Sequence, residues 1–208
     1  MCRSVFGRFL APNSIVGCGI EMAPEAEWSG VKAKYELPDE YVLYLGRVSK
    51  AKVDKLLPYF LRCKAKYGGD AKLVLVGGFE NEIRKFDSPD ILFTGYVSDE
   101  EKTAIVRHAT VMVNPSPMES LSLLMLEGMQ SRIPLLVNGR SKVMKDHCRL
   151  SGAGLWYNNG RDFRKKLHRL LSDPELRRTM SEKGPAYVRE HYDWEIIIPK
   201  LRTLIESI

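Results

Sequence analysis

Short apolar runs alternate with amphipathic stretches along the chain from residue 41 onward. The apolar runs are β-rich: YVLYLG (41–46), KLVLVGG (72–78), ILFTG (91–95), TVMVN (110–114) and PLLVN (134–138). Each is followed by a polar or amphipathic stretch, so the alternation predicts crossover units and a parallel sheet. Runs such as LVLV lack polar positions, and we therefore expect an open α/β sheet that is covered on both faces.

Helical periodicity marks the stretches between and after these strands. Apolar residues recur at helical intervals over residues 56–67, and Ser98 with Glu101 forms a capping box that opens a helix running to about His108. From about residue 161 the chain becomes mostly helical, with one helix starting at Asp173 and Pro174. The last helix, 194–208, carries an apolar stripe of Trp194, Ile197, Ile198, Leu201, Leu204, Ile205 and Ile208.

Residues 1–40 have a different composition, with several glycines and with Pro12, Pro24 and Pro38. We interpret them as a linker or the remnant of a preceding domain, with one short strand around SIVGCGIE (14–21), and residues 41–208 as one domain. The apolar stripe on the last helix is expected to pack against another apolar surface, because exposing it to water is unfavourable. Two candidates are a second copy of the chain and residues 1–20 folding back, with an apolar face of Val5, Phe6, Phe9 and Leu10.

Composition favours a soluble, cytoplasmic protein. The 208 residues are 44% hydrophobic and 28% charged, and no apolar run approaches the roughly 18 residues that span a bilayer. Arg8 and Pro12 interrupt what would be the apolar core of an export signal. The cysteines, at positions 2, 18, 63 and 148, are too far apart to indicate a zinc site or a disulfide framework.

The net charge of +6 is compatible with phosphate-bearing ligands, an anionic membrane surface or nucleic acid. The basic residues are scattered over stretches such as RKKLHRLL, where helical spacing favours an ordinary solvated face. No nucleic-acid partner is expected.

Two cations follow the first predicted strand. The strand ends at Gly46 and Arg47, and Lys52 lies five residues beyond Arg47. Arg offers a planar fork and Lys a point charge, and together with helix N-terminal amides they suit a diphosphate. The alternative is that both side chains are simply solvated.

Two acids flank the apolar stretch that follows the strand TVMVN. Glu119 ends the loop NPSPMES, where a predicted helix entrance would supply the amides of Ser120, Leu121, Ser122 and Leu123 to a phosphate. Glu127 lies about two helical turns further along. Carboxylates accept paired hydrogen bonds from vicinal hydroxyls, so the two acids could hold a nucleotide sugar at both ends. The alternative is a pair of ordinary helix acids, with Glu119 interacting only with the helix dipole.

The four histidines suggest neither catalysis nor metal binding, because His108, His147, His168 and His191 are isolated. We assign them to the surface or the core and predict no metal site.

Several motifs in this order resemble glycosyltransferase family four, which has the GT-B fold of two Rossmann-like halves. They are the strand ending in GR with Lys52 five residues on, ILFTGYVSDEE, NPSPMES and ESLSLLMLEGM, and the likeness covers about Val16 to Ile208. The family usually has Gly near the position of Ser122. After the glutamate that corresponds to Glu127, it usually has Ala, a small residue and Gly. Gly128, Ser131 and Arg132 stand in that second stretch here. The later segments LLVNGRSKVMKDHC and GAGLWY resemble a branch of bacterial surface-polysaccharide enzymes.

The resemblance implies roles for the candidate residues. Arg47 and Lys52 match the pair that stabilises the departing diphosphate, Glu119 the acid that contacts the donor sugar, and Glu127 the acid that binds ribose. The segment of Gly95, Tyr96 and Val97 matches the one beside the base. Such enzymes are retaining, use a UDP- or GDP-linked hexose and need no metal or other cofactor.

The resemblance also implies that an amino-terminal, acceptor-binding half is missing from this chain, so activity of the chain alone is in doubt. We therefore expect the donor-binding domain of a retaining glycosyltransferase that acts in polysaccharide or glycolipid synthesis. The acceptor could lie at the inner membrane surface, and a homodimer could form through the last helix. The alternatives are a non-catalytic nucleotide-binding or interaction module on the same fold, and a nucleic-acid binder.

Overall fold

The computed structural model describes residues 17–80 and 88–206. Its helices and strands, in chain order, are α1 (Trp28–Lys34), β1 (Tyr41–Leu45), α2 (Lys50–Val53), α3 (Leu56–Tyr67), β2 (Lys72–Val76), β3 (Ile91–Gly95), α4 (Asp99–Arg107), β4 (Val111–Asn114), α5 (Leu123–Gln130), β5 (Leu135–Asn138), α6 (Lys142–Ser151), β6 (Gly154–Tyr157), α7 (Gly160–Ser172), α8 (Pro174–Tyr192) and α9 (Trp194–Glu206).

The six strands form one parallel sheet in the order β3-β2-β1-β4-β5-β6. The chain starts in the middle at β1, adds strands on one side, and then returns to add β4 on the other side of β1. The strand order therefore reverses between β1 and β4, which is where open α/β sheets leave a crevice at the carboxyl ends of their strands. The predicted Rossmann-like sheet is confirmed.

Each face of the sheet is covered by its own apolar core. Tyr41 and Leu43 of β1 pack into one core, with buried residues of α1, α4, α5 and α6. Val42 and Tyr44 of the same strand pack into the other core, with buried residues of α3 and α7. Successive side chains of a strand point to opposite faces, so a continuous apolar run is what a doubly covered strand requires.

Three predicted helix boundaries are confirmed. The Ser98 hydroxyl accepts the amide of Glu101 at 3.2 Å, and the Glu101 carboxylate accepts the amide of Ser98 at 2.9 Å, which completes the capping box of α4. Helix α3 covers residues 56–67 as expected. At the start of α8, Pro174 occupies the first turn, and the Asp173 carboxylate accepts the amide of Leu176 at 2.9 Å.

Two elements were not predicted, and one expectation was wrong. Strand β6 forms the edge of the sheet beside β5, and the expected linker 1–40 contains α1, which is capped by Glu27. The strand expected over 14–21 is absent from residues 17–21, and residues 14–16 lie outside the described residues.

The apolar stripe of the last helix is only partly covered. Ile197 of α9 is buried, whereas Trp194, Ile198, Leu201 and Ile205 remain 40–63% exposed. The segment 17–20 packs at this end of the helix: a Cβ at Gly19 would lie 2.2 Å from the Trp194 ring, and the Ile20 amide donates to the Tyr192 carbonyl at 2.9 Å. The expected fold-back residues Val5, Phe6, Phe9 and Leu10 lie outside the described residues.

Within residues 17–80 and 88–206, no helix is both long enough and apolar enough to span a bilayer.

Candidate functional site

A cavity lies at the carboxyl ends of β1 and β4, where the strand order reverses. Its volume is about 530 Å³. It is lined by the end of β1, the loop after it, the loop after β4 and the start of α5. The lining residues are Cys18, Tyr44, Leu45, Gly46, Arg47, Lys52, Asn114, Ser116, Glu119, Ser120, Leu121, Ser122, Leu123 and Leu124. We call this the switch-point cavity.

The end of β1 is held close to the end of β2 by backbone contacts that need glycine. Gly46 has φ +135° and donates its amide to the Val76 carbonyl at 3.0 Å. A Cβ at Gly77, whose φ is +128°, would lie 2.3 Å from the Gly46 carbonyl oxygen, so only glycine fits there. This close approach fixes the direction in which the chain leaves the sheet toward Arg47.

Tyr44 supports the loop that follows. Its hydroxyl donates to the Arg47 carbonyl at 2.8 Å. Burial and, to a smaller extent, the charge of Glu119 raise the pKa of Tyr44 to about 12, so this hydroxyl keeps its proton at neutral pH.

The two predicted cations both line the switch-point cavity. Lys52 lies in the short helix α2, and its Nζ is 3.4 Å from the Ser116 hydroxyl and 3.7 Å from Oε1 of Glu119. The Arg47 side chain makes no hydrogen bond or ion pair within the described chain. Two positive charges and one carboxylate therefore line the same cavity, although the cations and the carboxylate are about 70 residues apart in sequence.

The loop after β4 is ordered by local hydrogen bonds. The Asn114 carboxamide accepts the amide of Ser116 at 3.0 Å and donates to the Ser122 hydroxyl at 3.1 Å. Ser122 has φ +64°, a left-handed conformation that is uncommon outside glycine. The backbone amides of residues 120–124 donate no hydrogen bond within the described chain, so they are free to bind an anion.

The expected position of Glu119 at a helix entrance was wrong. Helix α5 begins at Leu123, and Ser122 is its N-terminal boundary residue. Ser120, Leu121 and Ser122 lie in irregular backbone, because the left-handed residue at 122 prevents the helix from extending toward Glu119. Glu119 nevertheless lines the cavity, where Lys52 rather than the helix dipole is its partner.

A second cavity, of about 250 Å³, adjoins the first at Leu45, Gly46, Arg47 and Leu124, which line both. Tyr96, Val97 and Lys102 line its other side. Tyr96 is 86% exposed and its ring lies on Gly78, where a Cβ would be 2.5 Å from the tyrosine hydroxyl. Gly95 does not line this cavity, and its carbonyl accepts the amide of Gly77 at 2.8 Å. We call this the Tyr96 cavity.

Glu127 lines neither of these two cavities. Its Oε1 is 3.3 Å from Nζ of Lys102, and its side chain is 13% exposed. Its Oε2 is buried and has no hydrogen-bond partner. Glu127 therefore contacts Lys102, which lines the Tyr96 cavity, and the expectation that Glu119 and Glu127 hold a nucleotide sugar at both ends stays a prediction.

Several lining residues were not assigned a role from the sequence. They are Cys18, Tyr44, Asn114, Ser116 and Lys102. Asn114 was detectable in principle, because it is the polar residue at the end of an apolar strand. Lys102 was not, since its partner is 25 residues away.

The histidines lie outside both cavities. His147 faces the Tyr187 hydroxyl at 2.8 Å and is buried, and its pKa is lowered chiefly by that burial. His108 stacks on Trp28, and His168 on Tyr67, with ring centroids 3.9 and 4.1 Å apart. In the described ranges, no three His, Cys, Asp or Glu side chains are grouped as a metal site would require.

The sequence matches the model of one protein family, described as glycosyl transferases group 1, over residues 30–187. One relative is the alpha-D-kanosaminyltransferase of Streptomyces kanamyceticus. It is 30% identical over an alignment of 174 residues, which covers 77% of this chain and 44% of the relative. The chain spans 32–48% of the length of five curated relatives that it matches.

Solved structures show the same fold. A sucrose-phosphate synthase from Thermosynechococcus elongatus superimposes with a TM-score of 0.76 at 21% identity, over 99% of this chain and 55% of the synthase. The Anabaena protein HepE, in complex with UDP and glucose, superimposes with a TM-score of 0.71 at 13% identity, over 86% of this chain and 52% of that protein. Since the family model matches more than two thirds of the 208 residues, the chain belongs to the glycosyl transferases group 1 family.

Proposed function

We propose that this chain is the donor-binding domain of a retaining glycosyltransferase and binds a nucleoside diphosphate sugar in the switch-point cavity. The proposal rests on one observation. The side chains of Arg47, Lys52 and Glu119 and the free amides of residues 120–124 line one cavity, at the point where the strand order reverses. Cations and free amides together stabilise a diphosphate.

The arrangement favours one orientation of the donor. The diphosphate would lie between the two cations and the amides of residues 120–124, with the hexose beside Glu119. The nucleoside would extend into the Tyr96 cavity, because that cavity shares Gly46 and Arg47 with the first. Its base would lie against Tyr96, and its ribose would approach Glu127.

The cations would act on the leaving group. As the acceptor hydroxyl attacks the anomeric carbon, the bond from that carbon to the diphosphate breaks and negative charge builds on the departing oxygen. Arg47 and Lys52 would stabilise this charge. The acceptor's proton would pass to the departing diphosphate, and attack on the face that the diphosphate leaves would retain the anomeric configuration.

A complete enzyme would need a second half for the acceptor. The chain spans 32–48% of the length of the five curated relatives, which supports a separate acceptor-binding domain. We propose that this domain precedes the present one, and that the acceptor is a polysaccharide or glycolipid presented at the inner surface of the membrane.

Calorimetry of the 208-residue chain tests donor binding. UDP, GDP and their hexose conjugates are titrated into the wild type and into the double variant Arg47→Ala, Lys52→Ala. Each lost charge-assisted contact is worth about 1.5 to 3 kcal/mol before solvent screening, so the pair should contribute about 2 to 5 kcal/mol. The Kd should therefore rise by at least about 30-fold.

A matched control removes two positive charges elsewhere. Lys165 and Arg169 are exposed on α7, and their side chains make no ion pair within residues 17–80 and 88–206. Lys165→Ala with Arg169→Ala should leave the Kd unchanged. An equal Kd for wild type and the Arg47, Lys52 double variant would refute the site. Binding of UDP or GDP without any preference for the sugar conjugate would favour a non-catalytic nucleotide-binding module.

A further inference from the structure

A further cavity, of about 300 Å³, lies at the carboxyl ends of β4, β5 and β6. Lys52 lines both this cavity and the switch-point cavity. The Tyr96 cavity lies on the other side, at the ends of β2 and β3. The three cavities therefore follow one another along the carboxyl edge of the sheet. We call the further one the Arg140 cavity, and its lining includes Lys52, Lys55, Tyr59, Asn138, Arg140 and Asn159.

Positive charge dominates the Arg140 cavity. Lys52, Lys55 and Arg140 line it together with one acid, Asp54. The side chains of Lys55 and Arg140 are exposed, and they make no hydrogen bond or ion pair within the described part of the chain. Lys52 is 3.7 Å from the carboxylate of Glu119. Two cations of this cavity are therefore available to pair with an anion.

Hydrogen bonds position the turn that carries Arg140. The Asn138 carboxamide accepts the Arg140 amide at 3.0 Å and donates to the Pro115 carbonyl at 2.9 Å. These two bonds join the turn after β5 to the loop after β4, which also carries Glu119. The backbone at Arg140 is thus connected directly to the loop that lines the switch-point cavity.

The start of α7 supplies a wall that suits a sugar ring. Asn158 and Asn159 line the cavity, and the Asn159 carboxamide oxygen caps the helix. The half-buried Tyr59 ring packs on this turn, since a Cβ at Gly160 would lie 2.6 Å from its Cε1. An aromatic ring can contact the apolar face of a sugar, and carboxamides can bind its hydroxyls. The wall is therefore compatible with a saccharide.

We infer that the Arg140 cavity binds the negatively charged group of an acidic sugar, either the carboxylate of a uronic acid or the phosphate of a sugar phosphate. Lys55 and Arg140 pair with the anion, and the sugar ring packs on Tyr59. The inference rests on the proposed donor site, because that site places the hexose beside Glu119 and next to Lys52, which both cavities share. The acidic sugar is the donor's own hexose or a sugar of the acceptor.

Calorimetry tests the donor as the source of the charge. UDP-glucose and UDP-glucuronate, which differ only in the carboxylate that replaces a hydroxymethyl group, are titrated into the full chain. GDP-mannose and GDP-mannuronate are titrated in parallel. Two partly exposed charge contacts correspond to about 5- to 30-fold in affinity. A donor source predicts that wild type prefers the acidic conjugate by that factor. Lys55→Gln with Arg140→Gln should then lower the ratio to about twofold or less.

Amide chemical-shift mapping tests the acceptor as the source. The ¹⁵N-labelled chain, saturated with the nucleoside diphosphate that binds tightest, is titrated with glucuronate, glucose 1-phosphate and neutral glucose. An acceptor source predicts saturable shifts at residues 138–140 and 158–160 with the two acidic sugars and none with glucose. Lys55→Gln with Arg140→Gln should abolish these shifts and leave the Kd of the nucleoside diphosphate unchanged.

Two further variants control for charge. Lys165→Gln with Arg169→Gln removes two positive charges from exposed residues of α7 that line none of the three cavities, so binding of acidic sugars should not change. Asp54→Asn removes the acid that repels an anion in the Arg140 cavity, so it should tighten acidic-sugar binding about twofold to fivefold. All of these variants change exposed side chains, and the amide spectrum verifies that each one is folded.

The outcomes distinguish this inference from the function on which it rests. If wild type binds no nucleoside diphosphate and no sugar conjugate, the proposed donor site fails and the inference fails with it. If wild type binds the donors but shows neither the preference for an acidic conjugate nor the shifts with acidic sugars, only the acidic-sugar inference is overturned. A folded Lys55, Arg140 double variant that keeps either signal at wild-type strength also overturns the inference and leaves the donor site intact.

Discussion

Replacing Arg132 by glycine should stabilise the protein, although it removes a charged side chain. Arg132 follows Ser131, the C-terminal boundary residue of α5, and has φ +64°. Its amide donates to the Met129 carbonyl at 3.1 Å, and the Ile133 amide donates to the Gly128 carbonyl at 2.9 Å. This is the Schellman pattern of helix termination, which places its left-handed residue at position 132 and favours glycine there.

The size of the effect follows from two opposing terms. A non-glycine residue in the left-handed region costs about 1 to 2 kcal/mol. Glycine relieves this strain, but it also lowers the free energy of unfolding by about 0.5 to 1 kcal/mol, because it makes the unfolded chain more flexible. The exposed Arg132 side chain makes no hydrogen bond or ion pair within the described chain, so nothing else is lost. The net gain should be about 0.5 to 1 kcal/mol, or roughly 1 to 4 °C in Tm.

Thermal and urea unfolding of the 208-residue chain measure this gain, with two controls. Arg132→Ala removes the same charge but leaves a side chain in the left-handed region, so it should not stabilise. Ser131→Gly places glycine where φ is −80° and should destabilise. If Arg132→Gly is no more stable than Arg132→Ala, the reasoning about backbone strain is refuted.

Three further predictions concern acid stability, the two acids and the last helix. The Lys34 ammonium and the Ser98 amide lower the pKa of Glu101 from 4.5 to about 2, so the carboxylate stabilises the fold above pH 4.5 and this contribution is lost as the pH falls toward 2. Glu101→Gln should lower the free energy of unfolding by about 1 to 2 kcal/mol at pH 7 after allowance for solvent screening. Urea unfolding should show a smaller difference between wild type and variant at pH 2.5. A difference that does not change with pH would contradict the ion-pair account. Glu127→Gln should weaken nucleotide binding about tenfold, whereas Glu119→Gln should mainly reduce the preference for the sugar conjugate over the free nucleoside diphosphate. Calorimetry that finds the same effect of both variants on both ligands would reject the proposed orientation. Gly19→Ala places a Cβ 2.2 Å from the Trp194 ring and should lower the free energy of unfolding by about 1 to 3 kcal/mol. Amide hydrogen exchange in α9 should become faster. Unchanged exchange in α9 would show that segment 17–20 does not hold the helix in place.

The sheet was predictable because its strands carry strong local signals. The runs of β1, β2 and β4 are apolar throughout, and the capping box of α4 is written in four consecutive residues. Strand β6 has only four residues and begins with Gly154, where a Cβ would lie 2.7 Å from Leu135. Its glycine is explained by packing against the neighbouring strand, which the sequence alone does not reveal.

The candidate site was predictable in its residues more than in its geometry. Strand ends indicated Arg47 and Lys52, because the carboxyl ends of parallel strands meet at one edge. The start of α5 could not be placed, since it depends on the left-handed backbone of Ser122, which the Asn114 side chain contacts. The contact of Lys102 with Glu127 joins two helices, and no local pattern marks it.

Amide chemical-shift mapping tests the central claim most directly. The uniformly ¹⁵N-labelled chain is titrated with the nucleoside diphosphate that binds tightest by calorimetry. If the donor binds in the switch-point cavity, the largest shifts occur at Gly46, Arg47 and residues 120–124, and Arg47→Ala with Lys52→Ala abolishes them at the same ligand concentration. Shifts centred elsewhere, for example on the cavity beside Gly68, Gly69 and Asp70, would contradict the account.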